Sequence, residues 1–303
     1  MNDKDVRNTE MDETPIITIE HGGDNAPTAS TVINLSSGRH WRWVAASVAA
    51  ALIVVGCLLG GYYYWIRNLY VGISVSTSPE ENIEKLKVAT TNEVLPEVVM
   101  SHDSIFGVSM NIYELRGLRA EISFEEPDSL DKDVYLYSRC ADHGGEGRYL
   151  GSLVKDGDML ADDHSRLGYF AAVGSRMVIG VARSEKVRDY CIENKGSFFR
   201  QFILVSNGVV PGGFYLHGKV ERRAIGSIGN TLFYIETPNK ETMWDFADAL
   251  REYGFTDAIY ITGGDARGFY RTADGKSHEI GNPESLPNEK WKGIIPWLVF
   301  KRI

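Results

Sequence analysis

The chain has 303 residues, and its 32 lysines and arginines stand against 41 aspartates and glutamates, which gives a formal net charge of −9. A phosphate backbone is bound by clustered basic side chains, so this acidic balance excludes nucleic acid as a partner. With 43% hydrophobic and 24% charged residues, the composition is typical of a globular protein and excludes disorder throughout the chain.

The N-terminal segment, residues 1–38, is acidic, with seven aspartates and glutamates against two basic residues, Lys4 and Arg7. Large apolar side chains are few, so the segment cannot bury enough surface to fold alone. We therefore predict a disordered acidic tail that lies in the cytoplasm.

An uncharged run of 23 residues follows at residues 44–66. A helix rises about 1.5 Å per residue, so this run can cross the roughly 30 Å hydrocarbon core of a bilayer. Aromatic residues stand near both of its ends, as is typical of membrane helices, and they are Trp41, Trp43, Tyr62, Tyr63, Tyr64 and Trp65. Arg39 and Arg42 precede the run and Arg67 follows it, which favours a cytoplasmic N-terminus. The sequence predicts a single-pass helix with its flanks over residues 39–67, with the lipid bilayer as a partner and the C-terminal domain extracytoplasmic, in the periplasm.

The remainder of the chain is predicted to be a linker with one short helix over residues 68–103, followed by a globular domain over residues 104–303. The domain mixes helical and strand patterns, which predicts the α+β class. Apolar residues alternate on both sides of Arg116-Gly117, so we expect paired strands there; they are Val108, Met110, Ile112, Ala120, Ile122 and Phe124.

The cysteines and histidines of the domain do not indicate a metal site. The seven histidines lack metal-ligand spacing and the three cysteines form no CxxC pair, so neither a metal nor a cofactor is predicted. Cys140 and Cys191 would be free to pair in an oxidising compartment, or they are two separate buried thiols.

The most informative segment is residues 198–274. Two strand-like runs, residues 222–228 and 231–236, flank Gly229-Asn230, which is a two-residue hairpin signal. Apolar residues at helical spacing then predict a helix that ends near Gly254; they are Met243, Phe246, Ala247, Leu250 and Tyr253. An apolar strand over residues 258–261 comes next.

That strand runs directly into Thr262-Gly263-Gly264-Asp265. Paired glycines let backbone amides approach a ligand closely, and amides in a turn form an anion-binding concavity. Arg267 and Arg271 would add positive charge for a phosphate. The alternative is an ordinary glycine turn beside two solvated arginines.

The order of these elements resembles the phosphodiester glycosidase family, the family of the enzyme that uncovers mannose 6-phosphate. The resemblance is carried by R-x-A-I-G at residues 222–226, the hairpin, the helix, the strand and the glycine pair, and by residues 199–208 upstream. It implies an α+β domain with mixed sheets that hydrolyses a sugar joined through its anomeric carbon to a phosphodiester. Arg222 takes the place of the family's motif arginine and is expected to hold phosphate oxygens.

One position departs from the family pattern, because Thr262 stands where the family has an aspartate before Gly263 and Gly264. Glycosidic cleavage generally uses carboxyl groups as acid and base, which a threonine hydroxyl does not replace. Asp265 and Asp142 are therefore the candidate catalytic carboxylates, with Glu146 as a further one.

Two hypotheses follow. The first is a membrane-anchored hydrolase of sugar phosphodiesters in the cell envelope, with Arg222 and residues 262–265 lining its pocket. The second is a catalytically inactive module that binds a glycan or sugar phosphate, or an interaction protein, on the same fold. A carboxylate in a pocket shared by Arg222 and Gly264 would favour the first. Residues 291–303 are predicted to be a terminal strand without a functional role.

Overall fold

The computed structural model describes residues 37–68, 78–88, 94–211, 214, 218–264, 266–281 and 293–303. The chain divides into two units, Met1–Tyr62 and Tyr63–Ile303. The helices of the described part are α1 (Ser37–Asn68), α2 (Pro79–Lys87), α3 (Lys186–Glu193) and α4 (Met243–Tyr253). Its strands are β1 (Glu97–Ile105), β2 (Val108–Arg116), β3 (Leu118–Ser123), β4 (Val134–Arg139), β5 (Leu153–Lys155), β6 (Asp158–Ala161), β7 (Gly168–Val173), β8 (Arg176–Val181), β9 (Ser197–Gln201), β10 (Ile203–Ser206), β11 (Val220–Ile228), β12 (Thr231–Glu241), β13 (Asp257–Ile261), β14 (Gly268–Arg271), β15 (Ser277–Ile280) and β16 (Trp297–Arg302).

Helix α1 contains the predicted apolar segment. Its stretch Trp41–Tyr63 has 23 residues and a mean hydropathy of 2.3, so it is long and apolar enough to cross a membrane. Every side chain of this stretch is exposed. The structure thus confirms one apolar helix of spanning length, while its place in a membrane stays a prediction.

The strands of the second unit form three sheets. Sheet I has the order β1-β2-β12-β11-β13-β10, sheet II the order β15-β14-β4-β16-β3, and sheet III the order β6-β5-β9-β7-β8. Every strand pairing in the described part of the chain is antiparallel. The α+β class is confirmed, but the expectation of mixed sheets is wrong for these strands. Strands such as β11 and β12 follow each other in the chain and are joined by a short turn, which reverses the chain and makes the pair antiparallel.

The three sheets enclose the largest apolar cluster, which lies on one face of sheet I and includes Ile225 and Tyr234 of sheet I, Leu298 of sheet II and Phe170 of sheet III. Helix α4 covers the opposite face of sheet I, where Phe246 and Leu250 pack with other buried apolar residues. Helices α2 and α3 cover sheet III. Sheet I therefore has two apolar faces, and polar side chains gather where its strands end.

The local predictions for the informative segment are confirmed. Strands β11 and β12 pair across Gly229-Asn230, and Gly229 has a φ of 60°, the left-handed conformation that this turn uses. Helix α4 begins after Thr242, whose hydroxyl accepts a hydrogen bond from the amide of Asp245, and it ends at Gly254 with a φ of 113°. The terminal strand is also confirmed, since β16 lies between β4 and β3 in sheet II.

The predicted pairing of strands at the start of the domain needs correction. Strands β2 and β3 both exist, but they do not pair, because β2 hydrogen-bonds to β1 and β12 while β3 hydrogen-bonds to β16 of sheet II. The boundary predicted at residue 104 falls inside β1 (Glu97–Ile105). Helix α2 buries Leu86 in the apolar cluster of sheet III, and β1 is already paired from Glu97 onward.

Cys140 and Cys191 are both free and fully buried, in different apolar clusters. Burial raises the pKa of the Cys140 thiol well above its usual range and that of the Cys191 thiol to about 12. Both are therefore unreactive packing residues in this structure.

Candidate functional site

The polar site forms where β13 ends, beside the segment that follows β4. Thr262 donates a hydrogen bond of 2.9 Å from Oγ1 to Oδ1 of Asp142. Gln201, at the end of β9 and fully buried, donates from Nε2 to Oδ2 of Asp142 at 3.0 Å. The Gln201 amide is itself oriented, because its Oε1 accepts from the backbone amide of Phe202 at 3.2 Å. Both oxygens of the Asp142 carboxylate are thus held by neutral donors from two other sheets.

Asp142 and Thr262 line a cavity of about 360 Å³. Its polar lining residues are Arg139, Asp142, His143, Arg166 and Thr262, and apolar side chains complete its wall. A cavity of this volume suits a small molecule with a few polar groups. Asp142 is the single carboxylate among the described residues that line it.

Two arginines of the cavity have donors that are not used. Nε and Nη2 of Arg139 are buried without a hydrogen-bond partner, and so is Nε of Arg166. The Arg166 guanidinium lies 4.0 Å from the ring centroid of Phe202, which fixes its plane. Burial lowers the pKa of Arg139, and the positive charge of Arg223 lowers it further. Buried guanidinium donors without acceptors are suited to an anionic ligand with several oxygens.

Arg222 is buried but does not line this cavity. Its Nε donates to the carbonyl of Glu241 at 2.8 Å, its Nη2 donates to the carbonyl of Gly218, and its guanidinium carbon lies 5.9 Å from the ring centroid of Tyr260. Burial raises the pKa of Tyr260, the Asp142 charge raises it further and the Arg222 charge lowers it, so Tyr260 is close enough to feel the charges of both residues. Arg222 therefore links the beginning of β11 to the end of β12, and a role in phosphate binding stays a prediction.

The glycine pair is tightly packed against β11. The amide of Gly263 donates to the Tyr260 hydroxyl at 3.1 Å, and the amide of Gly264 donates to the carbonyl of Glu221 at 2.8 Å. A Cβ on Gly263 would lie 2.3 Å from that carbonyl oxygen, and Gly264 has a φ of 65°. Gly263 is thus required by close backbone approach and Gly264 by its left-handed conformation, and in this structure both amides donate to protein acceptors.

The other predicted site residues lie apart from the cavity lining. Arg267 is ion-paired with Glu126 at 3.2 Å, and Arg271 donates from Nη2 to the carbonyls of Ser129 and Asp131 at 2.7 and 3.0 Å. Glu146 is exposed. Asp265 lies outside the described residues. Within the part of the chain that the structure describes, no group of three or more histidine, cysteine or acidic residues is arranged to hold a metal ion.

Of the predicted site residues, the structure brings together Asp142 and Thr262. The sequence reasoning missed Arg139, Arg166 and Gln201. Arg139 is the last residue of β4, three residues before the predicted site residue Asp142. Gln201 lies within the segment that carried the family resemblance. The sequence therefore offered a reason to consider both residues. Arg166 follows a polar stretch with no motif, and only the fold brings it to the cavity.

No protein-family model matches the sequence, and no curated protein matches it. Among solved structures, the zebrafish N-acetylglucosamine-1-phosphodiester alpha-N-acetylglucosaminidase catalytic domain, autoinhibited by its pro-peptide, is 14% identical with a TM-score of 0.49; the match covers 72% of this chain and 86% of that one. A hypothetical protein from Synechocystis is 8% identical with a TM-score of 0.44, and the match covers 68% of this chain and 62% of that one. At these identities and TM-scores, neither likeness carries an argument about this chain.

Proposed function

We propose that the domain is a phosphodiester glycosidase-like hydrolase that cleaves a sugar-1-phosphodiester linkage in the cavity lined by Asp142. The observation that carries the proposal is that one oriented carboxylate, Asp142, and two arginines, Arg139 and Arg166, line the same cavity. The resemblance of residues 198–271 to phosphodiester glycosidases supports the same substrate class.

In the proposed reaction, Arg139 and Arg166 hold the phosphate oxygens while Asp142 acts on a water. The water oxygen forms a bond to the anomeric carbon, and its proton passes to the Asp142 carboxylate. The bond between the anomeric carbon and the phosphate oxygen breaks, and its electron pair stays on the phosphate. Thr262 and Gln201 keep the carboxylate oriented, which is how a base gains its efficiency.

A single carboxylate is sufficient for this substrate class because of the leaving group. An ordinary glycoside releases an alcohol, whose pKa is near that of water at about 16, so its oxygen must be protonated as it leaves. A phosphodiester releases a phosphate monoester, whose second pKa is about 6, so it leaves as a dianion without an acid. The arginines then supply the stabilisation that an acid supplies elsewhere.

The test is release of free sugar from a panel of nucleotide sugars and sugar-1-phosphate diesters by the purified full chain. Asp142→Asn keeps the side-chain shape and removes the base, so we expect turnover to fall by at least about a hundredfold. Arg139→Met should raise KM, since a charge-assisted contact to phosphate is lost. Arg251→Met is the matched control, because Arg251 is an exposed arginine of α4 paired with Asp248.

The second candidate function is a binding module without catalysis. It is favoured by one observation, that Asp142 is the only carboxylate among the described lining residues and accepts hydrogen bonds at both oxygens. Two results together would establish this module and refute the hydrolase. The wild type would bind the diesters without releasing sugar from any of them, and Arg139→Met would no longer bind them.

We further propose that α1 anchors the chain in a membrane, with the N-terminus cytoplasmic and the C-terminal domain extracytoplasmic, in the periplasm. The length and hydropathy of Trp41–Tyr63 and the arginines that precede it support this topology. Protease added outside intact spheroplasts should digest the C-terminal domain and leave the N-terminal segment protected. The reverse pattern would overturn the orientation.

A further inference from the structure

The connection between β6 and β7 carries Arg166, which lines the candidate cavity. A short turn shapes this connection, because Oδ1 of Asp163 accepts a hydrogen bond from the backbone amide of Ser165 at 2.7 Å. The Ser152 hydroxyl holds the same turn by donating to the carbonyl of Asp163 at 3.0 Å. His164 lies at the centre of the turn, two residues before Arg166, so a contact of the His164 side chain acts on the backbone that carries Arg166.

The His164 ring joins this turn to the beginning of α3 and to β9. Its Nε2 lies 3.3 Å from Oδ1 of Asp162, and its Nδ1 lies 3.1 Å from Oε1 of Glu185, the residue before α3. The same Nδ1 lies 3.3 Å from Nη1 of Arg200, a buried side chain of β9. The ring therefore contacts two carboxylates and one guanidinium group.

Protonation of His164 decides which of these groups Nδ1 binds. In the neutral ring with its proton on Nε2, that nitrogen donates to Asp162 and Nδ1 accepts from Arg200. In the protonated ring both nitrogens donate, so Nδ1 binds Glu185 instead, and one positive charge faces two carboxylates. The charged ring therefore holds the turn to α3 more firmly than the neutral ring does.

The other charged groups of this cluster also favour a proton on the ring. Arg188 of α3 lies 2.8 Å from the Asp162 carboxylate and 3.0 Å from that of Glu185, and it pairs with Asp189 at 2.7 Å. Apart from His164, the described contacts thus join two guanidinium groups to three carboxylates, those of Arg188 and Arg200 and of Asp162, Glu185 and Asp189. A proton on His164 balances the charge of the cluster.

We propose that His164 is a positioning residue, and that its protonated form holds the turn so that Arg166 binds an anion more tightly in the cavity lined by Asp142. A turn that is already held loses less conformational freedom when Arg166 binds, so the contact appears as affinity. The inference rests on the proposed function in one respect, that Arg166 holds phosphate oxygens, and it does not require hydrolysis.

Calorimetric titration of the full chain with dimethyl phosphate tests the inference. A phosphodiester lacks the second ionisation of a monoester, so its charge stays constant between about pH 5.5 and about pH 7.5, where histidine changes its charge. His143 lines the same cavity and would respond to pH itself, so every protein carries His143→Gln. We expect this background to bind dimethyl phosphate about threefold more tightly at the lower pH.

Two variants at His164 separate charge from shape. His164→Gln donates hydrogen bonds without a charge, so it should bind at both pH values with the affinity that the background has at the higher pH. His164→Lys is charged at both pH values and should bind with the higher affinity at both. His102→Gln is the matched control and should keep the pH response, since His102 is an exposed histidine of β1 that contacts Asn111 and is not among the described lining residues.

A purely structural role of His164 predicts a different pattern. Both variants would then weaken binding by the same factor at the two pH values, which would overturn the inference. A full pH response in His164→Gln would overturn it as well, and so would a failure of dimethyl phosphate to bind at either pH. If His143→Gln itself abolishes binding, the comparison is made with His143 present, where His164→Gln should remove about threefold from the pH response.

The inference and the proposed function fail in different ways. Affinity that depends on pH through His164, without hydrolysis of any diester, refutes the hydrolase and leaves the inference standing. Hydrolysis that depends on Asp142, with an affinity for dimethyl phosphate that His164→Gln leaves unchanged at both pH values, refutes the inference alone.

Discussion

The hydroxyl of Thr262 donates to the carboxylate of Asp142 at 2.9 Å, although 120 residues separate them in the chain. By the sequence resemblance to phosphodiester glycosidases, the threonine takes the place of an aspartate. An aspartate at 262 would place two carboxylates against each other, whereas the threonine supplies a neutral donor that orients the one carboxylate present. A threonine at this position is therefore compatible with the site that we propose.

Thr262→Val tests that relationship, because valine has the same shape and no hydroxyl. A hydrogen bond to a charged group is worth about 1.5–3 kcal/mol, so we expect turnover of a cleaved diester to fall at least about tenfold. Thr262→Ser should recover most of it, since the donor returns. Steady-state kinetics of the wild type and the two variants provides the measurement. Activity of Thr262→Val equal to that of the wild type would show that the Thr262 hydroxyl has no role in the reaction.

Gly263→Ala should destabilise the fold, because the added Cβ would lie 2.3 Å from the backbone oxygen of Glu221. Two backbone segments that hydrogen-bond to each other cannot separate cheaply, so we expect a loss of about 3 kcal/mol in the free energy of unfolding. Gly145→Ala is the control, since nothing lies within 4 Å of a Cβ there. Urea unfolding followed by circular dichroism measures both, and equal midpoints would contradict the close approach.

Glu185→Gln should also destabilise the protein. Both carboxylate oxygens of Glu185 accept hydrogen bonds from Nη2 of Arg200, a side chain that is 2% exposed. Removing the negative charge leaves the buried guanidinium uncompensated, at an expected cost of about 2 kcal/mol in the free energy of unfolding. Asp248→Asn, which breaks an exposed pair with Arg251, should cost less than about 0.5 kcal/mol. Urea midpoints that move equally in the two variants would contradict the burial argument.

The buried thiols make the free energy of unfolding depend on pH. Burial raises the pKa of Cys191 from its ordinary value of 9.0 to about 12, so the unfolded thiol loses its proton at lower pH than the folded one. The contribution to stability is therefore complete below pH 9 and declines as the pH rises toward 12. Iodoacetamide at about pH 8 should label Cys140 and Cys191 only after denaturation, as read by mass spectrometry of their peptides. Rapid labelling of the native protein would contradict the burial of these thiols.

The sequence by itself determined the elements whose signals are local. An uncharged run of 23 residues specifies α1, a glycine-asparagine pair specifies the β11–β12 turn, and apolar spacing with Gly254 specifies α4. Each of these signals consists of residues that lie close together in the sequence, so the element can be predicted from that segment alone.

Only the tertiary structure decided which segments meet. Strands β2 and β3 look like a hairpin but belong to different sheets, because each finds a partner far along the chain. The strand pattern places Arg222 and Arg223 side by side, while sheet packing decides that Arg222 binds the backbone carbonyls of Gly218 and Glu241 and that Arg223 lies opposite Glu236. Likewise Arg139, Arg166 and Asp142 share a cavity because three sheets pack together there, and no local spacing in a sequence records packing between distant strands.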